Sequence, residues 1–171
     1  MKNWRNIKIG FPFMEVLKWA SLVLVILVIV FSFSEKITSK EPFKKVLNGS
    51  CKYADMKDMK KGDNQMIKRL YNLDAAEYES VALYYPQTNM GSSELLLVKL
   101  KSVDQQDEIK KAAEGRKETQ KKNFEGYAEK QYAMVKNSIV DVKGNYILFV
   151  SAKNPDKVVR AFENALKGRK V

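Results

Sequence analysis

Apolar positions recur along the chain with two periods, and the changes of period divide it into elements. The chain first shows an uncharged run, "WASLVLVILVIVFSFS", Trp19 to Ser34. After it, Phe43, Val46 and Leu47 mark a short helix opened by Pro42. Asp63 stands where an N-cap belongs, ahead of "NQMIKRLYNL", whose Met66, Ile67, Leu70 and Tyr71 form one face. Two strand patterns follow. "YESVALYYP" runs from Tyr78 to Pro86. "ELLLVKLK", from Glu94 to Lys101, is apolar on both faces and belongs inside a sheet. Ser102 or Asp104 then caps a long helix that Gly126 ends or kinks, and "EKQYAMVK" resumes helix. "IVDVKGNYILFVS" reads as a hairpin turning at Lys143, Gly144 and Asn145. Asn154 and Pro155 open a last helix to Lys167, with Val158, Val159, Phe162, Ala165 and Leu166 facing in.

The stretches "LLLVKLKSVDQ" and "ILFVSAKNPDK" superpose at an offset of 52, so that Leu96 matches Leu148 and Asp104 matches Asp156. Each is strand, capping turn, helix. Convergence on a common unit and duplication explain this equally well. The fold class expected is α+β: a small ββα-ββα-like domain with a roughly four-stranded, mainly antiparallel sheet packed by helices. The divisions expected are a basic tail over 1–18, a transmembrane helix or signal anchor over 19–34, a stalk over 35–42 and a domain over 43–171.

Counted back to Val16, the apolar run has 19 residues. At ~1.5 Å per residue it reaches roughly 28 Å, about one hydrocarbon core. A cleaved signal peptide is the rival, with Ser32 and Ser34 spaced as a cleavage site requires. The long preceding tail and the length of the run favour a retained single-pass anchor. Lysines and arginines number four on each side, so the positive-inside count does not orient it. A short tail before a long domain fits a signal anchor with the domain outside the cell.

Composition narrows the chemistry. The chain carries 31 Lys+Arg against 20 Asp+Glu, and a net charge of +11. Beyond residue 34 it has 27 basic and 19 acidic residues, still +8. That balance favours anionic partners: nucleic acid, anionic lipid or anionic wall polymer. Histidine, the commonest general base and metal ligand, does not occur. The lone cysteine, Cys51, cannot form an intrachain disulfide. No phosphate-binding glycine loop, nucleophile elbow or metal-ligand cluster is present, so no cofactor and no metal is implied. "KGNYILFV" has a slight look of an RNA-binding octamer, but Asn145 and Leu148 stand where aromatics belong.

One pattern stands out. The long helix directs Ile109, Ala112, Ala113, Phe124, Tyr127 and Met134 along one stripe, yet Arg116, Gln120 and Asn123 fall inside it, with Gln131 further on. Two explanations compete. The residues are structurally satisfied, or they line a groove as hydrogen-bond donors. Arg116 is expected partly buried between helix and sheet, its donors met by carbonyls or a carboxylate. Lys117 is expected to face solvent.

Tyr71, Met90, Glu94 and the run Arg116, Gln120, Phe124, Tyr127, Gln131, followed by Gly144 and Tyr146, stand in an order and spacing that resembles the bacterial family called domain of unknown function 4358. The resemblance spans about Phe43 to Leu166. It implies a membrane-anchored or lipoprotein-type protein of Gram-positive gut bacteria and brings no activity with it. A lipoprotein cysteine is lacking here, since Cys51 lies too far beyond the apolar run, so a transmembrane anchor would replace the lipid.

The function expected is non-enzymatic: a membrane-anchored, extracytoplasmic domain that binds an envelope protein or anionic wall polymer, with no nucleic acid. The alternatives are a ligand-binding subunit or enzyme using the groove beside the long helix (carboxylate catalysis needs no histidine) and, third, nucleic-acid binding.

Overall fold

The computed structural model describes residues 16–26 and 39–169. The chain divides into two compact units, residues 1–36 and 37–171. In the first, residues 16–26 form helix α1 and are all exposed. The remainder of the apolar run lies outside the described residues. Among the described residues, no helix is long and apolar enough to cross a membrane.

The second unit is an α+β domain. Among the described residues its helices are α2 (Phe43–Cys51), α3 (Asn64–Tyr71), α4 (Gln106–Phe124), α5 (Glu129–Lys136) and α6 (Pro155–Leu166). Its strands are β1 (Met59–Gly62), β2 (Ser80–Pro86), β3 (Glu94–Lys99), β4 (Ile139–Lys143) and β5 (Tyr146–Ser151). They form one sheet in the order β1-β2-β3-β5-β4, antiparallel throughout.

The sheet has five strands rather than four. The extra one, "MKKG", is short and shows no alternation, because its two lysines are exposed at the sheet edge. Such charge protects an edge from pairing with another chain. Gly62 ends it where β1 crosses Leu83, and a Cβ there would lie 2.8 Å from the Leu83 Cδ2.

β3 and β5 occupy the centre because both are apolar on both faces. Leu96, Val98, Ile147 and Phe149 face Ile67 and Tyr71 of α3 and Ile109 and Ala113 of α4. Leu95, Leu97, Leu148 and Val150 face Val46 of α2 and Val158 and Phe162 of α6. The domain is therefore three layers, with helices on both faces of the sheet.

The internal echo takes a definite form in this arrangement. Leu96 pairs with Phe149 across β3 and β5, so Leu148, its sequence match, points to the opposite face. A slip of one residue inverts every side chain of a strand. The two strand-turn-helix units consequently send α4 and α6 to opposite sides.

Local signals set the helix ends. The Asp63 side chain accepts from the Met66 amide at the start of α3. Ser102 and Gln105 form a capping box on the 3-10 turn that leads into α4. Asn154 holds the N-cap position of α6, but its side chain makes no capping bond. At the other end of α4, Gly126 takes φ +83°, a left-handed conformation that reverses the chain. Residues 39–42, expected as stalk, are tied to the domain. The Ser39 amide donates to Asn145 Oδ1, its hydroxyl donates to the Leu166 carbonyl, and the Tyr146 hydroxyl donates to the Glu41 carbonyl.

Candidate functional site

The polar stripe of α4 meets a carboxylate. Glu94 opens β3 on the same face as Leu96, directly under α4, and is fully buried. The Arg116 guanidinium lies against it, with Nε 3.0 Å from Oε1 and Nη2 2.8 Å from Oε2. One turn along α4, Gln120 donates its amide to Oε2. From α3, the Tyr71 hydroxyl donates to Oε1 at 2.5 Å. An ionised carboxylate offers about four lone-pair sites. Two guanidinium N–H groups, one amide and one phenol occupy them.

This geometry sets the electrostatics. Burial opposes the Arg116 charge, but the hydrogen bond and the charge of Glu94 outweigh it and hold the guanidinium above its usual range. Burial first, then the charge of Glu94, push the Tyr71 phenol well above its ordinary pKa. Gln120 Oε1 and Ser151 Oγ are buried nearby without a protein hydrogen bond, Ser151 being the cross-strand neighbour of Glu94. A carboxylate whose lone pairs are all engaged can act as base or nucleophile only by breaking this set. The cluster is a latch joining α3, β3 and α4.

The five candidate residues separate on this frame. Arg116 and Gln120 meet at Glu94. Asn123, near the end of α4, is exposed. Tyr127 is 63% exposed rather than facing the core, because α4 ends at Phe124 and Gly126 breaks the helical phase before it. Its ring rests on Phe124, 6.4 Å between centroids. Gln131 is half-buried on α5 and lines a cavity. Lys117, expected in solvent, donates to the Ser138 carbonyl at 2.9 Å. The partners missed were Glu94 and Tyr71. A glutamate opening an otherwise apolar strand was the available signal for the first.

A concave surface lies elsewhere, below α5. A cavity of about 740 Å³ opens between α5, the edge strand β4 and the start of α6. Lys130, Lys153, Lys157 and Arg160 line it, against the single carboxylate Asp156. Lys153 reaches toward Asp55 and Asp58 at 3.8 Å. Among the described residues, Lys130, Lys157 and Arg160 have no ion-pair partner. Lys157 and Arg160 stand three apart on one helix face, with like charges adjacent.

The family described as Domain of unknown function (DUF4358) matches residues 52–152, more than half of the chain. The chain belongs to this family. The match takes in the whole latch of Tyr71, Glu94, Arg116 and Gln120, and it ends just before α6. Nothing among the curated proteins and nothing among the solved structures matches the chain.

Proposed function

We propose that this chain is a membrane-tethered, non-enzymatic binding domain whose ligand is an anionic component of the cell envelope. The observation that carries the reading is the cavity below α5, which Lys130, Lys157 and Arg160 line without ion-pair partners among the described residues. Several other lysines of the domain do sit beside carboxylates, among them Lys45 with Glu41, Lys99 with Glu79 and Lys143 with Glu163. Cations that share a cavity repel one another, and a bound anion relieves that repulsion.

The tether rests on the uncharged run from Trp19 to Ser34 and on the character of α1. Its Val16, Leu17, Leu22, Val25 and Ile26 are all exposed. A helix whose large apolar side chains are exposed on every side but that of Lys18 calls for an apolar surrounding. The domain is then held outside the cell, where envelope polymers are found.

Catalysis in the groove beside α4 gains no support, since the carboxylate there is spent on the latch. Single-stranded nucleic acid is disfavoured because no aromatic side chain lines the cationic cavity to stack its bases. The test is charge reversal. Full-length protein in detergent, carrying Lys157→Glu with Arg160→Glu, should lose retention on Gram-positive envelope fractions that the parent shows at low salt. Undiminished retention of the double variant would remove the cavity as the site.

A further inference from the structure

The chain enters the α+β domain at a fixed corner. Ser39 is buried, its amide on Asn145 Oδ1 and its hydroxyl on the Leu166 carbonyl. The end of α6 and the start of α2 therefore lie side by side, and Gly168 sits against Glu41 and Lys45. This corner is basic. Lys40, Lys44, Lys167 and Arg169 are exposed and, among the described residues, have no ion-pair partner. The carboxylates close by are already engaged, Glu41 by Lys45, and Glu163 and Asp141 by Lys143. Asp104, Asp107 and Glu108, at the start of α4, belong to the layer on the other face of the sheet. The cationic cavity is at the opposite end of α6, where Asp156 and Lys157 line it. A helix of 12 residues at ~1.5 Å per residue places it roughly 15 Å from the corner.

We propose that this corner is a lipid-docking surface, which seats the domain on the anionic phospholipid headgroups of the bilayer that holds the tether. The proposal rests on the tether reading above and adds to it the face that the domain turns to the membrane. Chain length is the first argument. Ser34 ends the uncharged run, and only residues 35–38 separate it from Ser39. Fully extended, that connection spans at most about 18 Å, so the corner stays close to the headgroups. Charge is the second. Exposed cations on long, flexible stems suit a diffuse layer of phosphates at several heights. Near an anionic leaflet each is worth roughly fivefold in population, so the four together favour the seated orientation by roughly a hundredfold or more. The attraction fades within a Debye length of about 8–10 Å. It therefore acts at this corner, and the cavity at the far end of α6 stays open to envelope polymers.

The test uses the isotope-labelled full chain in two sets of nanodiscs, phosphatidylcholine alone and phosphatidylcholine mixed with phosphatidylglycerol. Each set carries a trace of lipid with a gadolinium chelate on its headgroup, which broadens amide signals near the membrane surface. With phosphatidylglycerol, the amides of Lys40, Lys44, Lys167 and Arg169 should broaden more than those of Asp107 and Glu108 and far more than those of Lys153 and Lys157. High salt should remove the excess, and phosphatidylcholine alone should not produce it. Charge reversal of the four residues, Lys40→Glu, Lys44→Glu, Lys167→Glu and Arg169→Glu together, should abolish the excess with circular dichroism unaltered. Flotation with phosphatidylcholine vesicles at high salt tests the tether by itself, and both proteins should float. Flotation with equal broadening in the two sets of discs overturns the docking surface and leaves the tether standing. So does an excess that survives the charge reversal, or one centred on Lys153, Lys157 and Arg160. Failure of the parent to float overturns the tether and this proposal with it.

Discussion

Replacing Arg116 with alanine is expected to be the most damaging single change on the surface of α4. The variant leaves Glu94, which is fully buried, with a charge and only the Tyr71 and Gln120 donors. Two of the four hydrogen bonds to the carboxylate vanish, together with the cation 2.8 Å away. Breaking a buried ion pair from one side costs about 3–5 kcal/mol, because the remaining charge is uncompensated. The Arg116 side chain is 13% exposed, so screening weakens the estimate little. For a domain of this size each kcal/mol lowers Tm by roughly 3–5 °C, giving a fall of about 10–20 °C. That rivals emptying a core position such as Leu97→Ala, at about 2–5 kcal/mol. Far-UV circular dichroism is the suitable probe, since both tryptophans, Trp4 and Trp19, precede the domain. Lys111→Ala, on the exposed side of the same helix, should change Tm by no more than surface substitutions do, within about 0.5 kcal/mol. Removing both charges, as Glu94→Leu with Arg116→Met, should cost less than Arg116→Ala, because no buried charge is left behind. The reasoning is refuted if Arg116→Ala and Lys111→Ala melt together, or if the double variant is the less stable of the two.

Further expectations concern titration, packing and location. Tyr146 is raised to about 12 by burial, from an unfolded value of 10.0, and burial raises Tyr71 in the same direction. The unfolded chain therefore releases these protons first, so stability is full below pH 10 and falls as pH climbs above it. Urea midpoints across that range should show a shallower fall for Tyr146→Phe than for the parent. Burial pushes the Cys51 thiol up to about 11, so a thiol reagent at pH 8 should modify the folded protein slowly and the urea-unfolded protein at once. Gly126→Ala should lower stability by about 1–2 kcal/mol although its Cβ would meet open space, because the left-handed φ is the obstacle. Protease added to intact cells should remove the domain, whereas protection until lysis would place it inside.

The parts of the fold legible in the sequence were those governed by local periodicity. The double-sided apolar run of β3 announced a strand inside the sheet, the hairpin of β4 and β5 was read from its turn, and Asp63, Ser102 and Pro155 marked helix starts. β1 was not legible, because four residues with two exposed lysines carry no alternating signal and gain their order only by pairing with β2. The facing of α6 opposite α4 was equally hidden, since it depends on a register between β3 and β5 that sequence spacing does not state. Arg116 and Gln120 stood out because polar residues interrupted an apolar stripe. Tyr127 shared that stripe only while the helix was extrapolated past Phe124, whereas Asn123 lies within α4 and is exposed near its end. The cavity below α5 gathers residues from α5, β4 and α6, and no local pattern connects Lys130 to Lys157. Charge alone hinted at it, as an excess spread along the chain.

The central claim is that ligand recognition lies below α5 and not at the Glu94–Arg116 latch. Amide chemical-shift mapping of the isotope-labelled full chain in micelles, titrated with poly(glycerol phosphate), tests it most directly. The account predicts shifts at Lys130, Lys153, Lys157 and Arg160, weakening as salt rises, with Tyr71, Glu94, Arg116 and Gln120 unmoved. Shifts centred on Arg116 and Gln120, with Lys157 and Arg160 silent, would contradict it.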